Sequence, residues 1–170
     1  GVVATSLADG RVIESDMVML SIGVAPESTL AREAGLELGL RGSIKVDASM
    51  RTSDEHIYAV GDAVEVVNVV TEASALIALA GPANKQGRIA ANAICGRESA
   101  FAGSQGSSVL KLFELDAAAT GLTLTGARRA GLDADAVVLS PANHATYYPG
   151  AETMTLRVVF ERHAGRILGG

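Results

Sequence analysis

The sequence predicts an α/β to α+β protein, and three observations carry that reading. Short apolar runs with a β-branched bias recur along the chain and are cut by Gly, Pro and Asp, the pattern of strands between turns. One long alanine-rich segment, Pro82 to about Ile94, opens on Pro and stops at Gly96, which are helix-boundary signals. Between Ala102 and Ser108 the chain turns to small, flexible residues, and beyond this linker alternating strands dominate.

Taken in order, Val2 to Ala4 and Val12 to Ile13 flank Ala8-Asp9-Gly10, an Asp-Gly turn signal that predicts a hairpin. Asp16 to Gly23 is continuously apolar, the pattern of a buried strand, broken by Gly23 and Pro26. Ser28 is expected to cap a short helix over Thr29 to Ala34, supported by Glu33 and stopped at Gly35. Ile44 to Val46 and Ile57 to Val60 read as short strands. Between Val64 and Leu79, the valines at 66, 67, 69 and 70 favour strand, whereas Glu72 to Leu79 favours helix.

After the linker, Val109 to Leu115 is expected as one strand, Thr125 as the cap of a helix ended by Gly131, and Ala136 to Leu139 as another strand. Thr153 to Glu161 alternates, with Met154, Leu156, Val158 and Phe160 facing a core. Arg162 to Gly165 then turns the chain into a last strand.

Composition bounds the partners. With 48% hydrophobic residues the chain can supply a core, and a net charge of −5 without any dense Lys/Arg block argues against nucleic acid or an anionic membrane surface. The strongest apolar candidate, Ala73 to Ala80, is far short of the roughly 20 residues that cross a bilayer. No signal peptide is evident in the first residues, so a cytoplasmic setting is expected. One cysteine excludes an intrachain disulfide, and three scattered histidines make no metal-ligand spacing. At the end of an alanine-rich helix, Cys95 reads as a small buried hydrophobe.

The most informative segment is Thr52 to Asp62 (TSDEHIYAVGD), an apolar strand that ends in Gly-Asp. Gly61 leaves room for close approach, and Asp62 sits at the carboxyl end of the strand, where open α/β sheets bind ligands. An ionised Asp only accepts hydrogen bonds, so its partners are donors: the hydroxyls of a ribose or ribityl chain, or the N–H groups of a following turn that it caps. Thr52, Ile57, Tyr58, Ala59, Gly61 and Asp62 together resemble the second flavin-binding motif of the FAD-dependent pyridine nucleotide-disulfide oxidoreductases.

Two further segments extend the resemblance. Leu79 to Ala91 is similar to the coenzyme A disulfide reductase and NADH oxidase branch, and a helix starting there would aim free N–H groups and its positive end at a flavin edge. The resemblance implies Ala80, Gly81 and Pro82 as cofactor-binding residues beside Gly61 and Asp62. It leaves Asn84, Lys85 and Arg88 as candidates for an anionic substrate phosphate or for a plain polar helix face. Asn143 to Ala151 and Lys111 to Leu122 are similar to that branch's dimerisation domain, which makes Tyr147 and Tyr148 candidate catalytic donors across a homodimer, or else packed turn residues. His144 reads as structural or interfacial.

The resemblance divides the chain into residues 1–27, the tail of an NAD(P)H-binding domain; 28–105, the carboxy-terminal half of a Rossmann-like, three-layer FAD-binding domain; and 106–170, part of an α+β dimerisation domain. No Gly-x-Gly-x-x-Gly fingerprint occurs, and both ends fall in apparent strands, so the chain is expected to be a portion of such an enzyme. The implied whole uses NAD(P)H and FAD to reduce a small-molecule disulfide, foremost a coenzyme A disulfide or persulfide. The alternatives are reduction of oxygen or peroxide, and a non-catalytic dimerisation fragment.

Overall fold

The protein is described by a computed structural model that covers residues 1–170. The expected first hairpin forms: β1 (Val3–Ser6) pairs antiparallel with β2 (Val12–Ser15), Val3 opposite Ser15 and Ser6 opposite Val12. Its turn is closed by Asp9, whose Oδ1 accepts the Arg11 N–H at 3.1 Å. The apolar run from Asp16 to Gly23, by contrast, is neither strand nor buried, with Met19 82% and Ile22 90% exposed. A buried strand needs hydrogen-bonded neighbours and cover on both faces. No backbone group of residues 16–26 bonds to another segment.

Helix α1 (Thr29–Glu33) starts where expected but is capped differently. The Ser28 hydroxyl donates to the Gly42 carbonyl at 2.5 Å, tying the helix start to a short 3-10 turn at Leu40–Gly42. Glu27 takes over the cap by accepting the Thr29 N–H at 3.0 Å, and Glu33 plays no part in it. The Ile44 to Val46 strand shrinks to Ile44, which bridges Leu38 on one side and Val64 on the other. Ile57 to Val60 stays extended but pairs only through Tyr58 with Arg51, and both Ile57 and Val60 are exposed.

The ambiguous segment resolves as strand: β3 (Val66–Val67) pairs antiparallel with β4 (Ser74–Ala75), and no helix forms between Val64 and Leu79. Local helix preference in Glu72 to Leu79 loses to this pairing. Helix α2 (Ala80–Ile94) follows, with Pro82 in its first turn, where a missing N–H leaves nothing unpaired. Its buried face carries Gln86 and Ala90, four residues apart.

The flexible-looking linker is pinned. Ser104 donates its N–H to Val67 O and accepts from Val69 N–H, lying parallel beside β3. Small residues here serve close packing rather than freedom. A Cβ on Gly103 would sit 2.4 Å from the Val67 carbonyl oxygen.

The expected strand at Val109 to Leu115 is in fact a hairpin, β5 (Ser108–Leu112) against β6 (Leu115–Ala119), turned at Phe113 and Glu114. Helix α3 (Leu124–Arg129) is capped by Thr123 rather than Thr125, through its Oγ1 and the Gly126 N–H at 3.1 Å. Strands β7 (Ala134–Leu139), β8 (Leu156–Glu161) and β9 (Ile167–Gly169) make an antiparallel sheet in that order. The face assignment for β8 is reversed at its centre: Val159, expected outside, is 2% exposed, beside a register shift at Val159/Phe160. Against β7 the register is unbroken, with Val159 opposite Ala136, so the core lies on the Val159 face of β8, and the shift falls on the β9 side, at Leu168.

All three helices end at the glycines marked in the sequence. Gly35 N–H bonds to Arg32 O and Leu36 N–H to Ala31 O; Gly96, Arg97 and Gly131, Leu132 repeat this with Ala93, Asn92 and Arg128, Ala127. These are the paired bonds of a Schellman turn.

Only 13 of 170 residues are buried, so the apolar content lies mostly at the surface and the interior is small. Its one clear cluster is Ala127, Ala134, Val159 and Leu168, with Val70 and Leu122 packed against it. Thr120 to Leu122 joins that cluster's sheet by bonds to Gly170 and Leu168. The fold therefore consists of four small antiparallel sheets, with parallel pairing confined to the Ile44/Val64 and Asn68/Ser104 bridges. No helix is long and apolar enough to cross a membrane.

Gly121 tests this docking. Its φ is +66, and a Cβ would meet the Leu168 carbonyl oxygen at 2.3 Å, whereas Gly150, at φ +82, faces open space. Gly150→Ala should cost about 1–2 kcal/mol of strain alone, and Gly121→Ala clearly more, because the sheet edge must also move. Urea unfolding of the two variants measures the difference.

Candidate functional site

The Gly-Asp motif ends an extended stretch and begins a turn in which Val64 N–H reaches back to Gly61 O at 3.4 Å. Gly61 has φ +89, a conformation that disfavours side chains, and a Cβ would meet nothing within 4 Å. Backbone conformation, not crowding within this chain, is thus what calls for glycine. Its N–H donates to the side-chain Oε1 of Gln86 at 2.7 Å. Gln86 is 1% exposed, so one buried amide ties the motif to the second turn of α2.

Asp62 is exposed and accepts no hydrogen bond from the chain. The turn-capping role open to it in the sequence is not taken. Its carboxylate is available to external donors.

At the start of α2, Ala80 and Gly81 are exposed, and their N–H groups bond to no backbone carbonyl. Pro82 has no N–H, and Leu79 supplies no side-chain cap. The helix therefore presents two open donors at its positive end. Gly81, Pro82 and Lys85 line one groove of about 310 Å³ with Phe101, Ser104 and Gln105. Asn84 and Arg88 are exposed on the same helix but outside that groove.

The structure joins Gly61 to α2, but it does not bring Tyr147 and Tyr148 to them. These two rings stand 4.7 Å apart, centroid to centroid, on the loop between β7 and β8, 81% and 60% exposed. The loop is held by Asn143 N–H to Glu152 O at 2.9 Å and Glu152 N–H to Asn143 Oδ1 at 3.0 Å. His144 lies exposed on the same loop. Cys95 is also exposed, contrary to the buried position expected for it. It follows the last turn of α2, whose alanine-rich end is left uncovered.

Two residues that sequence reasoning passed over support the motif. Gln86 could have been found as the one polar residue on the buried stripe that includes Ala90. Glu65, three residues after Asp62, accepts the Leu40 N–H at 2.6 Å and the Ser43 hydroxyl at 3.3 Å. The Leu40 bond above all holds its carboxyl below the ordinary value of 4.5, against partial desolvation, which pushes it up.

The pyridine nucleotide-disulphide oxidoreductase family model matches residues 1–87, which include the Gly61-Asp62 motif. The chain belongs to this family. A relative from Pyrococcus abyssi named NAD(P)H sulfur oxidoreductase (CoA-dependent) is 34% identical over 96% of the chain, and a relative from Methanocaldococcus jannaschii named NADH oxidase is 35% identical over 95%. The crystal structure of reduced Bacillus anthracis CoADR-RHD superposes with a TM-score of 0.89 at 46% identity over 98% of the chain. The chain spans 36% of the length of either relative and 30% of the solved chain.

Because the Glu65 pKa is lowered by folding, its contribution is present above about pH 4.5 and is lost as pH falls through the folded value. Glu65→Gln should destabilise the protein by about 1–2 kcal/mol at neutral pH, given a charge-assisted bond partly exposed to solvent. The gap from wild type should shrink on acidification, which unfolding at pH 7 and pH 3.5 would reveal.

Proposed function

We propose that this chain is part of an FAD-dependent NAD(P)H:disulfide oxidoreductase whose acceptor is a coenzyme A disulfide or persulfide. The observation that carries the reading is Asp62: a carboxylate with no partner in its own chain, in a family motif fastened by Gln86 to a helix that offers open N–H donors. Residues 1–27 would then end an NAD(P)H-binding domain, 28–105 would form half of a three-layer FAD-binding domain, and 106–170 part of a dimerisation domain. A cytoplasmic setting goes with this reading.

In that role bound FAD would supply two-electron redox chemistry between NAD(P)H and the acceptor. The chain's residues divide the remaining work. Asp62 accepts hydrogen bonds from ribityl or ribose hydroxyls and so orients the cofactor. Gly61 keeps the backbone low beside it, and the Ala80 and Gly81 N–H groups, with Pro82 shaping the turn, would favour negative charge on a flavin held there. Lys85 and Arg88, with Asn84, offer cationic and polar donors to a substrate phosphate. Tyr147 and Tyr148, reaching a second subunit, donate a proton or hydrogen bond to a thiolate.

Cys95 has no place in the chemistry. It lies at the carboxyl end of a 15-residue helix, about 22 Å from the Ala80 end by helical rise. The negative end of the helix also disfavours a thiolate.

A second reading, reduction of oxygen or peroxide, is favoured by the Methanocaldococcus relative's name. Substrate-dependent NAD(P)H consumption by the full-length gene product separates the two: turnover of coenzyme A disulfide under anaerobic conditions supports the first, and oxygen uptake alone the second. Flavin absorbance comes first, and a gene product that purifies without flavin and cannot be reconstituted overturns both. Asp62→Ala should weaken FAD retention by about 10- to 100-fold, the range expected for a hydrogen bond to a charged group. Equilibrium dialysis against FAD measures it.

Dimerisation through residues after Ser107 rests on the β5–β6 hairpin, whose every residue is exposed, including Val109 at 78% and Leu115 at 72%. Sedimentation should show a dimer for the wild type and a shift toward monomer for Val109→Lys. A strictly monomeric wild type removes this part of the proposal.

A further inference from the structure

We infer that Gln86 is a positioning residue for the cofactor site, locking the Gly61-Asp62 turn and helix α2 into one rigid unit. The inference rests on the flavin-binding role proposed for Asp62. Three observations lead to it. First, Gln86 is 1% exposed on a stripe whose next member is Ala90, so an apolar side chain would fill the place without desolvating an amide. A polar side chain kept there must do something packing cannot.

Second, its Oε1 accepts a single long-range bond, 2.7 Å from the Gly61 N–H, across 25 positions of sequence. Gly61 is held at φ +89, and the Asp62 carboxylate follows immediately without an anchor of its own. Among the side chains of the protein, Gln86 alone hydrogen-bonds to the backbone of this Gly-Asp pair. Third, the other end of the connection is α2 itself, whose first turn carries the open Ala80 and Gly81 donors. Movement of the Asp62 turn relative to those donors requires breaking this part-buried bond, which would leave the buried Gln86 oxygen unpaired at a cost.

Gln86 thus acts on the cofactor only through Gly61 and α2. It sets the separation between the Asp62 carboxylate and the open N–H donors at the start of α2.

The test uses the full-length gene product with Gln86→Met and Gln86→Leu, which fill the buried space in two shapes without an acceptor, and Gln86→Glu, which keeps one. Flavin dissociation constants and midpoint potentials are read on folded protein, so the conclusion stands on whichever apolar variant folds. The expected result is FAD binding weakened roughly tenfold, the effect of one buried hydrogen bond, with a shifted flavin potential and recovery to within about threefold in Gln86→Glu. Unchanged affinity and potential in the apolar variants, with flavin present in the wild type, would overturn the positioning role alone. So would equal impairment in all three variants, which would mark the site as one of packing. A wild type that holds no flavin would overturn the underlying reading and the positioning role together.

Discussion

The hydrogen bond from the Gly61 N–H to Gln86 is the constraint on which the first part of the molecule depends. The stretch from Arg51 to Val60 has almost no ladder of its own, since only Tyr58 pairs, with Arg51. Without a sheet to hold it, an extended segment takes its position from its ends. One end is set by the Asp47 turn, where Oδ1 accepts the Ser49 and Arg51 N–H groups, and the other by the buried Gln86 amide. Between these anchors the segment delivers Gly61 and Asp62 to a fixed place beside α2.

Around this bond the structure substitutes polar side chains for missing sheet. Glu65 holds the Leu40 turn, Ser28 ties α1 to Gly42, and the Asn68 Oδ1 accepts the Val70 and Thr71 N–H groups as the chain leaves β3. Each bond is short-range in effect but long in sequence or set at a turn, and each satisfies a backbone group that a strand partner would otherwise take. With so few buried residues, such bonds supplement a small apolar interior. The second part works differently: Ala127, Ala134, Val159 and Leu168 give it a genuine core, closed by the approach of Gly121 to Leu168 and Gly169.

The functional reading follows from the same economy. An Asp that the fold leaves without a donor, set next to a glycine that the fold holds firmly, is a group directed outward. The open N–H groups at the start of α2 have the same character, and the groove at Gly81, Pro82 and Lys85 leaves space before them. Tyr147 and Tyr148 stand apart on their own loop, so any joint action with the Asp62 region has to come from contact with another surface.

What the sequence alone determined were features set by local chemistry. The Asp-Gly hairpin, the glycine stops at 35, 96 and 131, the span of α2 and the Gly-Asp motif were all legible because turn conformation and helix termination depend on a few adjacent residues. What tertiary structure decided were the features that need a neighbour. Apolar runs at Asp16 to Gly23 and Ile57 to Val60 read as strands, yet burial is a property of what lies opposite: nothing in this chain covers the first, and the second is only half covered, at Tyr58 and Ala59. The small residues at 102–108 read as slack but fit beside β3, and Val159 is inside because Ala127, Ala134 and Leu168 lie on its face of the sheet. Gln86 shows the division most clearly: its helix was predictable from sequence, but its partner lies 25 residues away, and only folding brings the two within hydrogen-bonding distance.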